Sequence, residues 1–352
     1  MKFKLFTFFF LLLFQLGYSQ IDNAQNLKND TILFTPDFFD QNEPLELTLE
    51  FNVKKLMIEK AKEEYLPAKL IYFTNDAARI EKAVRIKARG ESRQRHCYLP
   101  PFWLNIKKSN INDDNLLDSK KIKIVTLCRN NSEYNRYLLK EYLIYKLYNI
   151  ITDKSFRVRM LEINYIDTER KNKESRSWAF MIEPEDMLSK RLDALPINID
   201  NLNYRHVDRQ GADMMCLFQY MIGNTDFTVN GRHNVKLLKY KDYTKPLLLP
   251  VPYDFDFAGL VNADYANPAE ILDLENVTER YYLGICRTDE EYQEVIDLFK
   301  KKKEAIYNFI ESFKYLDNRS KRETLRYLDE FYNELDKDDF IERKLRKTCR
   351  KL

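Results

Sequence analysis

Glycine is scarce in this chain, with seven in 352 residues. Neither GxGxxG nor GxxxxGK[ST] occurs, so the dinucleotide-binding and P-loop routes to phosphate recognition are closed, because both need glycine where the backbone meets the phosphates. Histidine is rarer still. His96, His206 and His233 lie far apart and share no ligand spacing; each reads as a satisfied structural histidine, with His233 placed beside Asn234 to line a site there. No Ser-His-Asp order or GxSxG elbow appears, which disfavours a hydrolase triad. Charge of one sign is also lacking: 58 basic and 55 acidic residues leave a net charge of +3. That balance argues neither for an acidic tail nor for a nucleic-acid binder, and no nucleic-acid partner is expected. The five cysteines (Cys97, Cys128, Cys216, Cys286, Cys349) are odd in number, widely spaced and without a CxxC. A zinc site and a disulfide framework are therefore not expected. One or two bridges are the most the chain allows, and sequence does not pair them. Cys216, in "MMCLF", reads as a buried small apolar residue.

Long apolar runs are missing except at the start. "MKFKLFTFFFLLLFQLGYSQ" has two early lysines, an apolar stretch from Leu5 to Phe14, and Gly17 and Ser19 before Gln20. Residues 1–19 read as a secretory signal peptide, too short in their apolar part to span a bilayer. The expectation is an exported protein, periplasmic or extracellular, with no transmembrane segment after signal removal.

The remainder divides into a β-rich part, residues 20–183, and a mainly helical part, residues 184–352. "LELTLEFNV" (45–53) alternates apolar and polar residues with period two, as a half-buried strand does. "PAKLIYFTN", "KAVRIKARG" and "PFWLNIKK" read as further strands. Tyr134 to Ile151 has a period near that of a helix, with Leu138, Tyr142, Leu143 and Leu147 on one face, and reads as amphipathic. "RVRMLEINYID" and "SWAFMIEP" form a hairpin pair around the charged turn "TERKNKESR". In the second part, "EDMLSKRLDAL" and "VDRQGADMMCLFQYMIGN" read as helices. "NVKLLKY" and "PLLLPVPYDFDF" read as paired strands. Two long helical patterns follow Asp289, the run Lys300 to Lys303 reads as a solvated face, and the basic tail "IERKLRKTCRKL" as a fraying end.

Polar residues cluster at the ends of these apolar elements. Asp226 follows a helix, Asn234 opens one strand eight residues later, and Asp254 and Asp256 close the next. If the strands pair, the oxygens gather at one sheet edge, a donor set that suits a hard divalent cation held by one or two carboxylates and by substrate phosphates. Phosphoryl transfer needs this set: a carboxylate to take the hydroxyl proton, and an Asn and an Asp for the metal. Metal-dependent hydrolysis on Asp254 and Asp256 is a weaker alternative.

The pattern "GN.D...N..N" followed by "P.D.D" resembles the spore-coat-protein-H-type (CotH) kinases, a secreted branch of atypical protein kinases. The resemblance runs over roughly residues 45–310 and takes in "VRIKARGESRQ", "SEYNRYLLKEYLIYKL" and "WAFMIEPEDMLSKR". It implies an α+β, two-lobed protein-kinase-like fold, with a β-rich N-terminal lobe carrying one long helix and a mainly helical C-terminal lobe carrying the Asp/Asn hairpin. It implies a kinase using ATP and Mg²⁺ or Mn²⁺ to phosphorylate Ser or Thr hydroxyls of a protein. Asp226 would be catalytic, and Asn234, Asp254 and Asp256 would hold the metal, Asp254 foremost. Arg89, Ser92 and Arg93 would lie over the phosphates, Glu141 would pair with a phosphate-contacting cation, and Glu183 would sit in the segment joining the lobes. Two departures stand out. Pro100 and Pro101 occupy the place of the family's KK pair, so the gripping cation would come from Lys107 or Arg93, and Tyr253 replaces the Trp of "WD.D". A catalytically silent binding or scaffold protein of the cell envelope is the competing reading.

Overall fold

The computed structural model describes residues 36–62, 64–73, 79–106 and 121–351. The signal-peptide reading of residues 1–19 and the candidate Lys107 lie outside these residues.

Seven strands close into a barrel: β1 (Leu45–Phe51), β2 (Leu66–Phe73), β3 (Arg79–Ala88), β4 (Phe102–Ile106), β5 (Lys121–Thr126), β6 (Val158–Asp167) and β7 (Lys173–Ile182), in the order β1-β2-β3-β4-β5-β7-β6. All neighbours are antiparallel except β1 and β6, which pair in parallel from Leu45↔Leu161 to Phe51↔Asp167 and close the ring. Alternation sets the faces: Leu47, Leu49 and Phe51 of β1 join Leu70, Ile86, Leu104, Ile124, Ile163 and Met181 in one buried cluster inside the barrel. Asn52 ends β1 by accepting from Lys55 N–H and starting the helix α1 (Val53–Glu59), two residues before the expected strand end. Between β6 and β7 the turn is tighter than expected. Lys171 and Asn172 adopt left-handed φ of 51° and 56°, and Lys173–Arg176 pair within β7.

The helix α2 (Glu91–His96) follows β3, and α3 (Ser132–Ile151) links β5 to β6. Asn131 caps α3 through a bond to Tyr134 N–H. This helix is not amphipathic: Tyr137 through Tyr145 are all buried, including Lys140 and Glu141. A helix apolar on nearly every face belongs at the centre of a core. Its surroundings are the outer faces of β5–β7 (Val125, Met160, Phe180) and the C-terminal helices, all in one cluster.

Beyond β7 come α4 (Glu185–Arg191), β8 (Ala194–Pro196), α5 (Arg209–Ile222), β9 (Val235–Tyr240), β10 (Leu248–Pro252), α6 (Asp289–Ser312) and α7 (Asn318–Leu335). Strands β10, β9 and β8 form a small antiparallel sheet. Asp208 caps α5 and Gly223 ends it at φ 66°, where a Cβ would strike the Tyr327 hydroxyl. Thr288 and Glu291 form a capping box on α6. Among the described residues no helix is long and apolar enough to cross a membrane.

Two further expectations are corrected. The first is the α+β, two-lobed protein-kinase-like fold: the N-terminal strands form a closed seven-stranded mixed barrel with helices, a different class. Alternation within each strand does not reveal that β1 and β6, more than a hundred residues apart, pair and shut the sheet. The second is the fraying tail. A disulfide joins Cys349 to Cys286, Arg350 N–H bonds Gly284 O, and Leu345 is buried. A second disulfide, Cys97–Cys128, joins the end of α2 to the approach to α3, and Cys216 is free and buried as expected.

Candidate functional site

The hairpin β9–β10 sets one wall of a cleft. Tyr253 N–H bonds Asn234 O, which places Asn234 one step from Asp254 across the ladder. Asn234 and Asp254 both have left-handed φ, 53° and 64°. Asn and Asp tolerate that region better than other side chains, and such residues gather at functional sites. Asp226 stands on the loop after α5. Asn234 Nδ2 donates to Asp226 Oδ2 at 2.9 Å and to its carbonyl at 2.8 Å, and His233 Nε2 lies 2.8 Å from Oδ1. Behind the loop, Gln219 accepts from Asn224 Nδ2, and Asn224 Oδ1 accepts from Asp226 N–H. Together Asp226, His233, Asn234, Asp254 and Asp256 border one cavity of about 400 Å³ with Arg89 and Arg93.

The opposite wall comes from the barrel. Arg89 follows β3, its N–H bonded to Pro101 O, and Gly90 turns the chain into α2 at φ 78°. The Cys97–Cys128 bridge holds the other end of α2. Arg93 is thereby aimed inward: Nε donates to Asp256 Oδ2 at 2.9 Å and a terminal nitrogen donates to Glu141 Oε2 at 2.5 Å. Arg89 lies 3.8 Å from Asp254 Oδ2. Phe257 borders the same cavity, its ring packed against Tyr265, which in turn packs against Tyr134 and Tyr137.

Three carboxylates converge. Glu141, Asp254 and Asp256 each offer an oxygen within 4.8 Å of the others. Burial raises the Glu141 and Asp256 carboxyls above the usual range, although Arg93 opposes it. Burial acts on Asp254 too, but Arg89, Arg93 and Lys123 outweigh it and hold that carboxyl low. Glu141 Oε1 is buried without a hydrogen-bond partner. Buried carboxylate oxygens normally have one. The donor set therefore fits a hard divalent cation, with Glu141 a candidate ligand that the sequence had placed only as an ion-pair partner.

A second cavity of about 510 Å³ adjoins at Arg89 and Asp254, lined also by Trp103, Lys123, Lys236 and Tyr253. Lys123 is the cation that sequence reasoning missed. Its Nζ lies 4.1 Å from the Tyr253 ring centroid and 5.7 Å from that of Trp103. Burial, with help from Arg89, pushes it down to about 7. The signal was available: "KIKIVT" alternates as a strand, with Lys123 on the face opposite Ile122 and Ile124. Lys236 pairs with Glu185 at 3.0 Å.

Other expected residues are placed differently. Glu183 borders the larger cavity, but its carboxylate is held by Arg191 at 2.8 and 3.0 Å and by Arg157 N–H. Ser92 belongs to α2, and its side chain lies outside the described residues. His206 closes a capping box with Asn203, away from these cavities.

No protein-family model matches the sequence, and no curated protein matches it.

Proposed function

We propose that this chain is an exported phosphotransferase of CotH-like chemistry, moving the terminal phosphoryl group of ATP to a Ser or Thr hydroxyl of a protein in the presence of Mg²⁺ or Mn²⁺. The observation that supports it is the meeting of Asp226, Asn234, Asp254 and Asp256 with Arg89 and Arg93 around one cavity, with Glu141 buried behind it against Arg93 and the two aspartates. Asp254, Asp256, Glu141 and Asn234 would hold the cation, which when bound neutralises phosphate charge. Arg89, where the two cavities join, and Lys123, in the adjoining one, bind and orient the phosphates, replacing the family's KK pair. Asp226 orients the substrate hydroxyl and accepts its proton as the new O–P bond forms; the bond from phosphorus to the bridging oxygen breaks, and ADP leaves with that electron pair. His233 and Asn234 fix the Asp226 carboxylate.

The test is incubation of the purified chain with labelled ATP and Mg²⁺ or Mn²⁺. Label should enter the chain or a generic protein substrate, and Asp226→Ala should abolish it. Arg93 favours a second reading: its guanidinium already neutralises two of the three carboxylates, as in a catalytically silent binding protein of the cell envelope. No labelling, with no thermal shift by nucleotide and metal, would select that reading.

A further inference from the structure

At the barrel end where β6 turns into β7 lies a separate cavity of about 430 Å³, which shares no lining residue with the two described above. Its floor includes Tyr165, 3% exposed, whose ring meets Phe51 edge-on inside the barrel. The Tyr165 hydroxyl is buried; Ser177 on β7 is close enough to affect it, but no hydrogen bond of acceptable geometry forms. Buried hydroxyls normally have a partner. Leu99, Leu127 and the disulfide-bonded Cys128 supply an apolar wall, and Arg170 and Lys173 stand at the rim. Arg170 reaches Asp167 only at 3.9 Å, and Lys173 makes no ion pair among the described residues. Barrel mouths are recurrent ligand sites, and an apolar wall with a few convergent polar groups is their usual lining.

We infer that this cavity binds a small amphipathic organic anion, an aryl or short alkyl carboxylate or sulfonate. Its body lies on Leu99 and Leu127, its acid group faces Arg170 and Lys173, and the Tyr165 hydroxyl gains the partner it lacks. The inference does not depend on the phosphotransferase reading.

The experiment titrates the folded, disulfide-intact chain with 8-anilinonaphthalene-1-sulfonate, followed by its fluorescence, with decanoate as competitor. Saturable binding at one equivalent, reversed by decanoate, is expected. Arg170→Glu with Lys173→Glu should weaken it by at least ~10-fold, since both charges that meet the acid group are reversed. Tyr165→Phe should weaken it too while the melting temperature holds or rises, because an unsatisfied buried hydroxyl is removed; this variant decides the matter if the double variant does not fold. Asp254→Asn, in the other cleft, should leave binding unchanged. Unsaturable fluorescence, binding indifferent to the rim charges and to Tyr165→Phe, or equal loss in Asp254→Asn overturns the inference.

Discussion

Arg93 donates to Glu141 at 2.5 Å, and both groups are shielded from water, Glu141 at 1% side-chain exposure. The pair joins the short helix after β3 to the central helix α3, and Nε of the same guanidinium continues to Asp256 at 2.9 Å. One cation thus ties three chain segments at the floor of the cleft. Burial works against the Arg93 charge, but Asp256 and Glu141 more than restore it, and its proton is held more tightly than usual.

Arg93→Ala leaves two buried carboxylates without their shared partner. Removing one member of a buried pair costs about 3–5 kcal/mol, and urea unfolding should show a loss of that size. A loss below about 1 kcal/mol would mean that the guanidinium is exchanged for water at little cost.

Asp254→Asn keeps the left-handed backbone tolerable, since Asn adopts that region as Asp does. The folded state should survive, with the thermal shift on adding Mg²⁺ or Mn²⁺ and ATP gone and phosphoryl transfer down by at least ~100-fold. Asp254→Ala should melt lower than Asp254→Asn. An undiminished metal-dependent shift in Asp254→Asn removes Asp254 from the ligand set.

The two disulfides separate stability from activity. Cys97 and Cys128 are 31 residues apart, Cys286 and Cys349 are 63 apart, and loop-closure entropy gives about 3–4 kcal/mol for each. Replacing either pair with Ser should lower stability comparably. Loss of Cys97–Cys128 alone should also reduce transfer in the fraction that remains folded, because that bridge positions the helix bearing Arg93. Equal specific activity in the two folded variants would refute the positioning role.

Asp213 gives a pH signature. It is buried, accepts from Arg287 Nε at 2.8 and 3.0 Å, and lies 3.5 Å from Arg209. Burial nevertheless pushes its carboxyl up to about 6, against the pull of Arg287 and Arg209. The folded chain therefore holds this proton more tightly than the unfolded chain does. Its contribution is fully present below about pH 4 and is lost as pH rises through 6, a change of about 2–3 kcal/mol. Unfolding curves of the native chain and of Asp213→Asn should differ in slope across that window. Parallel curves between pH 4 and 7 would show that Arg287 keeps Asp213 ionised throughout.

Local chemistry was legible in the sequence by itself. Period-two runs marked most strands, Asp and Asn at the ends of apolar segments marked Asp226, Asn234, Asp254 and Asp256, and turn residues between Tyr240 and Leu248 joined β9 to β10. These follow from interactions within a few residues, which a linear reading captures. Contacts between distant segments were decided only in three dimensions: the β1–β6 closure that replaced a two-lobed fold with a barrel, the pairing of the cysteines, the burial of Lys140 and Glu141, and the arrival of Lys123 between Trp103 and Tyr253. A side chain's charge and hydrogen-bonding capacity are written in its identity. Whether it faces water or a partner a hundred residues away depends on how the whole core packs, and no local pattern carries that information.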